Sequence, residues 1–193
     1  MDSTLNLHDS RSQRERMLAG DLYNADDPEL MQDIVRAERL LLEYNATVPG
    51  DRQVRYEVLK KLLGSTGEGT MIRPPLYCDL GYQITIGARV FVNFGLVALD
   101  VAKITIGDDV QIGPNVQLLT PTHPTNAELR RAKWEASKPI TIGSNVWLGG
   151  GVIVCPGVTI GENTVVGAGS VVVKSLPANV VAVGNPARVV RTL

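Results

Sequence analysis

The stretch ITIGSNVWLGGGVIVCPGVTIGENTVVGAGSVVVKS, residues 140–175, decides the fold. Within it Ile142, Leu148, Val154, Ile160, Val166 and Val172 stand six apart, and Gly143, Gly149, Gly161 and Gly167 follow four of them. A second column of small or β-branched residues, Val146, Val152, Val158, Thr164 and Ser170, comes four residues after the first five. A period of six fits neither 3.6 nor seven, and glycine this dense costs about 1 kcal/mol per helical position. Each hexad therefore reads as a short strand plus a turn, with two inward-facing positions. Three such strands make a triangular coil, and stacked coils pair their backbones at about 4.8 Å while burying the Ile/Leu/Val column along the axis. The spacing predicts a mainly β protein, a parallel β-helix of hexapeptide repeats.

The same frame recurs upstream in Ile106-Gly107, Ile112-Gly113 and Leu118, and again in Ile86-Gly87 and Val92-Asn93. Ile86 and Ile106 are 20 apart, which is not a multiple of six, so two extra residues bulge out near Ala98 to Lys103. One long interruption remains, between Leu118 and Ile140. A solenoid accommodates such an insertion as an extruded loop, here about 119–139, and long loops on a rigid scaffold are where function concentrates.

The N-terminal third has a different texture. Residues 13–19 and 29–44 are rich in helix formers, with Leu30, Ile34, Ala37, Leu41 and Leu42 at helical spacing. Asp27 and Pro28 suit the cap and first turn of the second helix. A third helix, about Asp51 to Leu63, ends at Gly64 and a glycine-rich linker, Ser65 to Gly69. The division is thus a flexible tail (1–10), a helical segment (11–64) packed on the first coils, and the β-helix (65–193) with a C-terminal tail from about 176.

Composition narrows the function. Lys plus Arg number 19 against 20 Asp plus Glu, a net charge of −1, which gives no general attraction for nucleic acid or anionic membranes. The start MDSTLNLHDSRSQRER lacks the apolar run of a signal peptide, and the two cysteines, Cys78 and Cys155, have no metal spacing. The expectation is a cytoplasmic chain with two free, inert thiols. Only two histidines occur: His8 in the tail, and His123 at the base of the extruded loop between Pro121 and Pro124. A proline-stiffened loop base is a suitable place for a general base. A zinc-dependent carbonic anhydrase on such a fold needs three histidine ligands, which this chain does not offer.

Beyond the hexads, several segments together carry a resemblance. They are Glu15-Arg16-Met17-Leu18-Ala19-Gly20-Asp21-Leu22-Tyr23, Pro74-Pro75-Leu76-Tyr77-Cys78-Asp79-Leu80-Gly81-Tyr82, Val92-Asn93-Phe94, Leu99-Asp100-Val101, Thr122-His123-Pro124, Asn145-Val146-Trp147-Leu148-Gly149-Gly150 and Gly184-Asn185-Pro186-Ala187-Arg188-Val189-Val190. In this order they resemble the maltose, galactoside and nodulation-factor acetyltransferase branch of the left-handed β-helix acyltransferases. The resemblance implies the left hand of the coil and acetyl-CoA as co-substrate, with no metal. It implies direct transfer of the acetyl group to a hydroxyl of a sugar such as maltose or glucose. A sugar hydroxyl ionises far above neutrality, so a neutral imidazole, ordinarily of pKa about 6.5, must take its proton during attack. That role falls to His123.

The resemblance further implies acceptor contacts by Asp26, Asp79, Asn93 and Asp100, an oxyanion contact from the Gly150 N–H, and acetyl-CoA contacts along Gly150, Ala168, Val173 and Lys174, with Arg188 and Arg191 near the phosphates. Two departures stand out. Asp100 is followed by Val101, where the galactoside enzyme has a second acid, and the N-terminal acceptor-contacting acid aligns with Ala25, or with Asp26 after a one-residue shift. An antibiotic, an amino sugar or serine stays open as the acceptor. Trp147 reads as packing at a subunit face. A triangular prism with one flat face and an outward loop predicts a homotrimer with sites between subunits.

Overall fold

The computed structural model describes residues 9–193; residues 1–8, including His8 and most of the expected tail, lie outside the described residues. Three parallel sheets form the walls of a prism of about six coils. The first wall holds Ser65–Thr66, Ile84–Ile86, Ile104–Ile106, Ile140–Ile142 and Thr159–Ile160. The second holds Met71–Ile72, Phe91–Val92, Gln111–Ile112, Trp147–Leu148, Val165–Val166 and Val180–Val183, with Arg188–Thr192 folded back antiparallel at its end. The third holds Leu76–Cys78, Leu96–Leu99, Gln117–Leu119, Ile153–Val154 and Val171–Val172.

Both columns of the hexad frame point inward. Ile142, Leu148, Val154, Ile160, Val166 and Val172 are at most 1% exposed, and the polar members of the second column, Thr164 and Ser170, are fully buried. Their hydroxyls are bonded: Thr164 donates to the Pro177 carbonyl at 2.7 Å, and Ser170 accepts from the Gly184 N–H at 3.0 Å.

The outward row of the first wall is polar, whereas those of the second (Met71, Phe91, Gln111, Trp147, Val165, Val181) and third are mostly apolar. On the first wall register stacks Ser65, Thr85, Thr105, Thr141 and Thr159, a row suited to water. On the third it stacks Tyr77, Val97, Gln117, Ile153 and Val171, a mostly apolar row. We call these the threonine wall and the apolar wall.

The corner between the threonine wall and the second wall requires left-handed backbone at Asn145, Asn163 and Asn179 (φ 56, 58 and 59°), a region asparagine tolerates. Their amides form a ladder along the prism: Asn145 donates to Asn163 at 3.0 Å, and Asn163 to Asn179 at 2.9 Å.

Both ends of the prism are closed. Helix α1 (Gln13–Ala19) packs against α2 (Pro28–Asn45), α2 and α3 (Arg52–Leu62) cover the first coil, and α4 (Ala127–Arg131) lies in the extruded loop. Asp27 caps α2 by accepting from the Glu29 N–H, with Pro28 at the first turn. At the far end of α2, the Asn45 side chain takes the place of a missing coil, bonding both the N–H and the carbonyl of Leu76 at 2.9 Å. The Tyr44 hydroxyl donates to the Ile72 carbonyl at 2.6 Å. A sheet edge left bare here would invite strand addition.

Two segments expected as linker and tail are paired strands. Ser65–Thr66 is the first strand of the threonine wall rather than linker, since its backbone pairs with Thr85–Ile86. The expected tail from about 176 is ordered, because Val180–Val183 extends the second wall and Arg188–Thr192 closes over it as a hairpin. No helix among the described residues is long and apolar enough to cross a membrane.

Candidate active site

Irregularity in the solenoid is confined to one corner. From the threonine wall to the second wall, and from there to the apolar wall, inward positions are always six apart: Ile86, Val92, Ala98; Ile106, Ile112, Leu118; Ile142, Leu148, Val154. From the apolar wall back to the threonine wall the steps are Cys78 to Ile86 (eight), Ala98 to Ile106 (eight), Leu118 to Ile142 (24) and Val154 to Ile160 (six). The two-residue bulge expected after Ala98 is there, a second lies one coil below it, and the extruded loop leaves one coil above. This loop corner carries Asp79, Asp100 and His123.

Helices α1 and α2 roof the same corner. Met17, Tyr23, Leu30 and Leu80 form a small second core, with Ala25, Ile34, Tyr82 and Val101 against it. Between this core and the corner lies a cavity of about 300 Å³, whose lining combines the aliphatic Met17, Leu30, Ile34, Leu80 and Val101 with the polar Tyr23, Asp79, His123 and Glu135. His123 is half exposed, its side chain at 55%.

The two aspartates of the corner have separate environments. Asp79 lines the cavity, and burial, followed by the nearby Asp100 and Glu135 carboxylates, pushes its carboxyl up to about 6. Asp100 is fully buried, and its carboxylate accepts backbone N–H groups of Asp79 (3.2 Å), Leu80 (2.8 Å) and Gln83 (3.2 Å). Burial raises its pKa, opposed by the donors of Leu80 and Gln83. The expected acceptor contact by Asp100 is thus corrected: its oxygens are spent on the turn that presents Asp79. That turn passes through Gly81 at φ +78°, where an added Cβ would meet the Leu62 carbonyl oxygen at 2.5 Å.

Asp26 also departs from expectation. It is exposed, with its N–H bonded to the Asn24 side chain, and Ala25 is the residue of that segment in the cavity wall.

The remaining expected residues fall into two sets. Asn93, Gly150 and Ala168 lie in a groove at the corner between the second and apolar walls, beside Phe91, Pro114 and Trp147, apart from the His123 cavity. The Gly150 N–H has no acceptor among the described residues. Gly113 permits this packing, because a Cβ there would stand 2.5 Å from the Gly150 nitrogen. Gly184, before the strand that begins at Arg188, sits one coil above the same corner through the Val171 N–H bond to its carbonyl. Val173 and Lys174 instead follow Val172 onto the loop corner, and Val173, Lys174, Arg188 and Arg191 are all exposed. One chain therefore carries half of the expected site on each edge of its apolar wall.

Two residues in the cavity, Tyr23 and Glu135, went unnoticed in the sequence. The only signal for them is the antiparallel pairing of Tyr23–Asn24 with Trp134–Glu135, a contact across more than 100 residues without local pattern. The thiol of Cys78 is raised by burial, and both cysteines are free. No cluster of three or more His, Cys, Asp or Glu side chains among the described residues could hold a metal ion.

A parallel hexapeptide prism with a histidine-bearing loop at one corner defines the class, a hexapeptide-repeat acyltransferase. Family models agree: residues 16–67 match the maltose acetyltransferase hexapeptide capping motif, and residues 139–174 the bacterial transferase hexapeptide (six repeats). Nodulation protein L of Rhizobium meliloti is 49% identical over 180 residues, covering 93% of this chain and 98% of that protein. The crystal structure of a maltose O-acetyltransferase from Clostridium difficile 630 superposes with a TM-score of 0.94 at 43% identity, covering 96% and 99% of the two chains. A galactoside acetyltransferase in complex with coenzyme A gives 0.91 at 42% identity, covering 95% and 92%. This chain belongs to the maltose and galactoside O-acetyltransferase branch of the left-handed β-helix acetyltransferases, and acetyl-CoA is its co-substrate.

Proposed function

We propose that the chain transfers the acetyl group of acetyl-CoA directly to a hydroxyl of a sugar such as maltose or glucose, with His123 as general base. The observation that carries this reading is the cavity at His123, whose lining mixes polar and aliphatic side chains. Asp79 offers a carboxylate acceptor for hydroxyls in a lining that also holds the aliphatic Met17, Leu30, Ile34 and Val101, which suits the polar edge and apolar face of a sugar ring.

In the proposed reaction the acceptor oxygen attacks the thioester carbonyl while His123 takes its proton. The resulting oxyanion is held by the Gly150 N–H, and collapse expels the coenzyme A thiolate, which recovers the proton from the imidazolium.

The site closes only in an assembly. We place the apolar walls of three copies around a threefold axis, which covers the row of Tyr77, Val97, Ile153 and Val171 and leaves the threonine row in water. Each loop corner, with His123, Asp79 and Lys174, then meets the neighbour's glycine-rich corner with Asn93 and Gly150. Coenzyme A lies in that seam, its phosphates toward Arg188 and Arg191. Trp147, 56% exposed beside the groove, fits the same subunit contact.

The test is a panel of acceptors with acetyl-CoA and thiol release as readout, run on wild type and His123→Ala. Sugar-dependent release in the wild type, lowered roughly 10² to 10⁴-fold in kcat by the substitution, is the expected result. Release with serine, an antibiotic or an amino sugar but no simple sugar reassigns the acceptor. Near-normal turnover by a folded His123→Ala protein refutes the base.

A further inference from the structure

The small sheet beside the cavity brings three side chains together. Pro121 pairs with Ser137 and Thr122 with Ala136, and His123 follows immediately after that strand. On the other edge of the strand Trp134–Ser137, Glu135 pairs with Tyr23. Tyr23 and Glu135 are cross-strand partners and project from one face, with His123 just past the end of the third strand, Pro121–Thr122. The Tyr23 hydroxyl donates to Glu135 Oε2 at 2.8 Å, while Glu135 Oε1 lies 3.8 Å from His123 Nδ1. Tyr23 is 2% exposed, and burial together with the Glu135 carboxylate keeps its phenol protonated as a donor.

We propose that Glu135 is the positioning residue of the His123 base, and that Tyr23 fixes the carboxylate so that its free oxygen faces the imidazole. The inference rests on the reading of His123 as general base.

A base working through Nε2 needs its proton on Nδ1, and a carboxylate on the Nδ1 side selects that tautomer. The same carboxylate stabilises the positive charge that develops on the ring as the acceptor hydroxyl gives up its proton. The proton then leaves with the coenzyme A thiol. At 3.8 Å the contact is too long for a hydrogen bond, and such contacts tighten when substrate fills the site.

Asp79 is the other carboxylate facing the cavity, from the coil beneath the sheet. Among the described residues, none donates to it as Tyr23 does to Glu135. Burial, and then Asp100 and Glu135, push its carboxyl up to about 6.

The test uses full-length Glu135→Gln, Tyr23→Phe, His123→Ala and the His123→Ala/Glu135→Gln double variant. Glu135→Gln should lower kcat roughly 10²-fold with the KM for acetyl-CoA within about twofold. The ionisation governing kcat/KM should move to lower pH, since the charge that favours imidazolium is gone. Tyr23→Phe should show a smaller loss in the same direction. The double variant should be no slower than His123→Ala alone, because Glu135 acts through the imidazole.

A Glu135→Gln kcat within twofold of wild type with an unchanged pH profile overturns the proposal, as does an equal further loss in the double variant. If Glu135→Gln does not fold, Glu135→Asp and Tyr23→Phe decide it, and normal kcat and pH profile in both overturn it. Normal turnover by His123→Ala would instead remove the general-base reading itself. A slow His123→Ala beside a normal Glu135→Gln removes this inference alone.

Discussion

Asp100→Asn changes one atom of a fully buried carboxylate that the sequence had suggested as an acceptor ligand. In the native turn Oδ1 accepts from the N–H groups of Asp79 (3.2 Å) and Leu80 (2.8 Å), and Oδ2 from that of Gln83 (3.2 Å). Asparagine keeps one oxygen for the first pair but points an NH₂ at the Gln83 N–H, so two donors face each other. Orphaning a buried donor costs about 1–3 kcal/mol, and removing a buried charge returns part of that. The expected net loss is about 2 kcal/mol, which for a chain of this size lowers the melting midpoint by roughly 4–8 °C. Asp100→Ala strips all three donors of their acceptor and should cost about twice as much. The assay is thermal melting at matched protomer concentration, since assembly contributes to the midpoint, alongside acceptor KM measured well below the transition. An unchanged midpoint with a tenfold rise in acceptor KM would refute the structural assignment and return Asp100 to the acceptor.

Asp79 should behave in the opposite sense. Its folded pKa is raised from 3.8 to about 6, so its contribution to stability is fully present below 3.8 and is lost as pH rises through 6. Asp79→Asn should be more stable than wild type at pH 7, by about 1–2 kcal/mol after discounting for its partial contact with solvent, and should bind the acceptor more weakly. Melts from pH 4 to 8 check this, because a gap that does not close as pH falls through 6 has another cause. For the seam between subunits, His123→Ala and Asn93→Ala trimers should each be slow and should regain activity when unfolded together and reassembled. Light scattering showing an active monomer, or no recovery on mixing, would count against shared sites.

The hexad frame, the buried columns and the caps of α2 were legible because they are local: a six-residue period and Asp27-Pro28 state their structure without long-range information. The strand pairing of Ser65–Thr66 and of the segment from 176 was not legible for the complementary reason. Both depend on finding a coil to pair with, and end coils depart from the repeat. Asp79 and His123 could be placed in one cavity only once the bulges and the loop were known to share a corner.

The sequence by itself determined the solenoid, its interruption and the single histidine available outside the N-terminal tail, since repeat spacing dictates which side chains must be buried. Tertiary structure decided the division of labour around that histidine. It buried Asp100 beneath Asp79 and left Asp26 outside the cavity. It brought Tyr23 and Glu135 to His123 through strand pairing across 112 residues, and it set Asn93 and Gly150 on the opposite edge of the apolar wall. The physical reason is that burial, cross-strand register and the choice between two prism corners are properties of stacked coils, fixed only when distant segments meet.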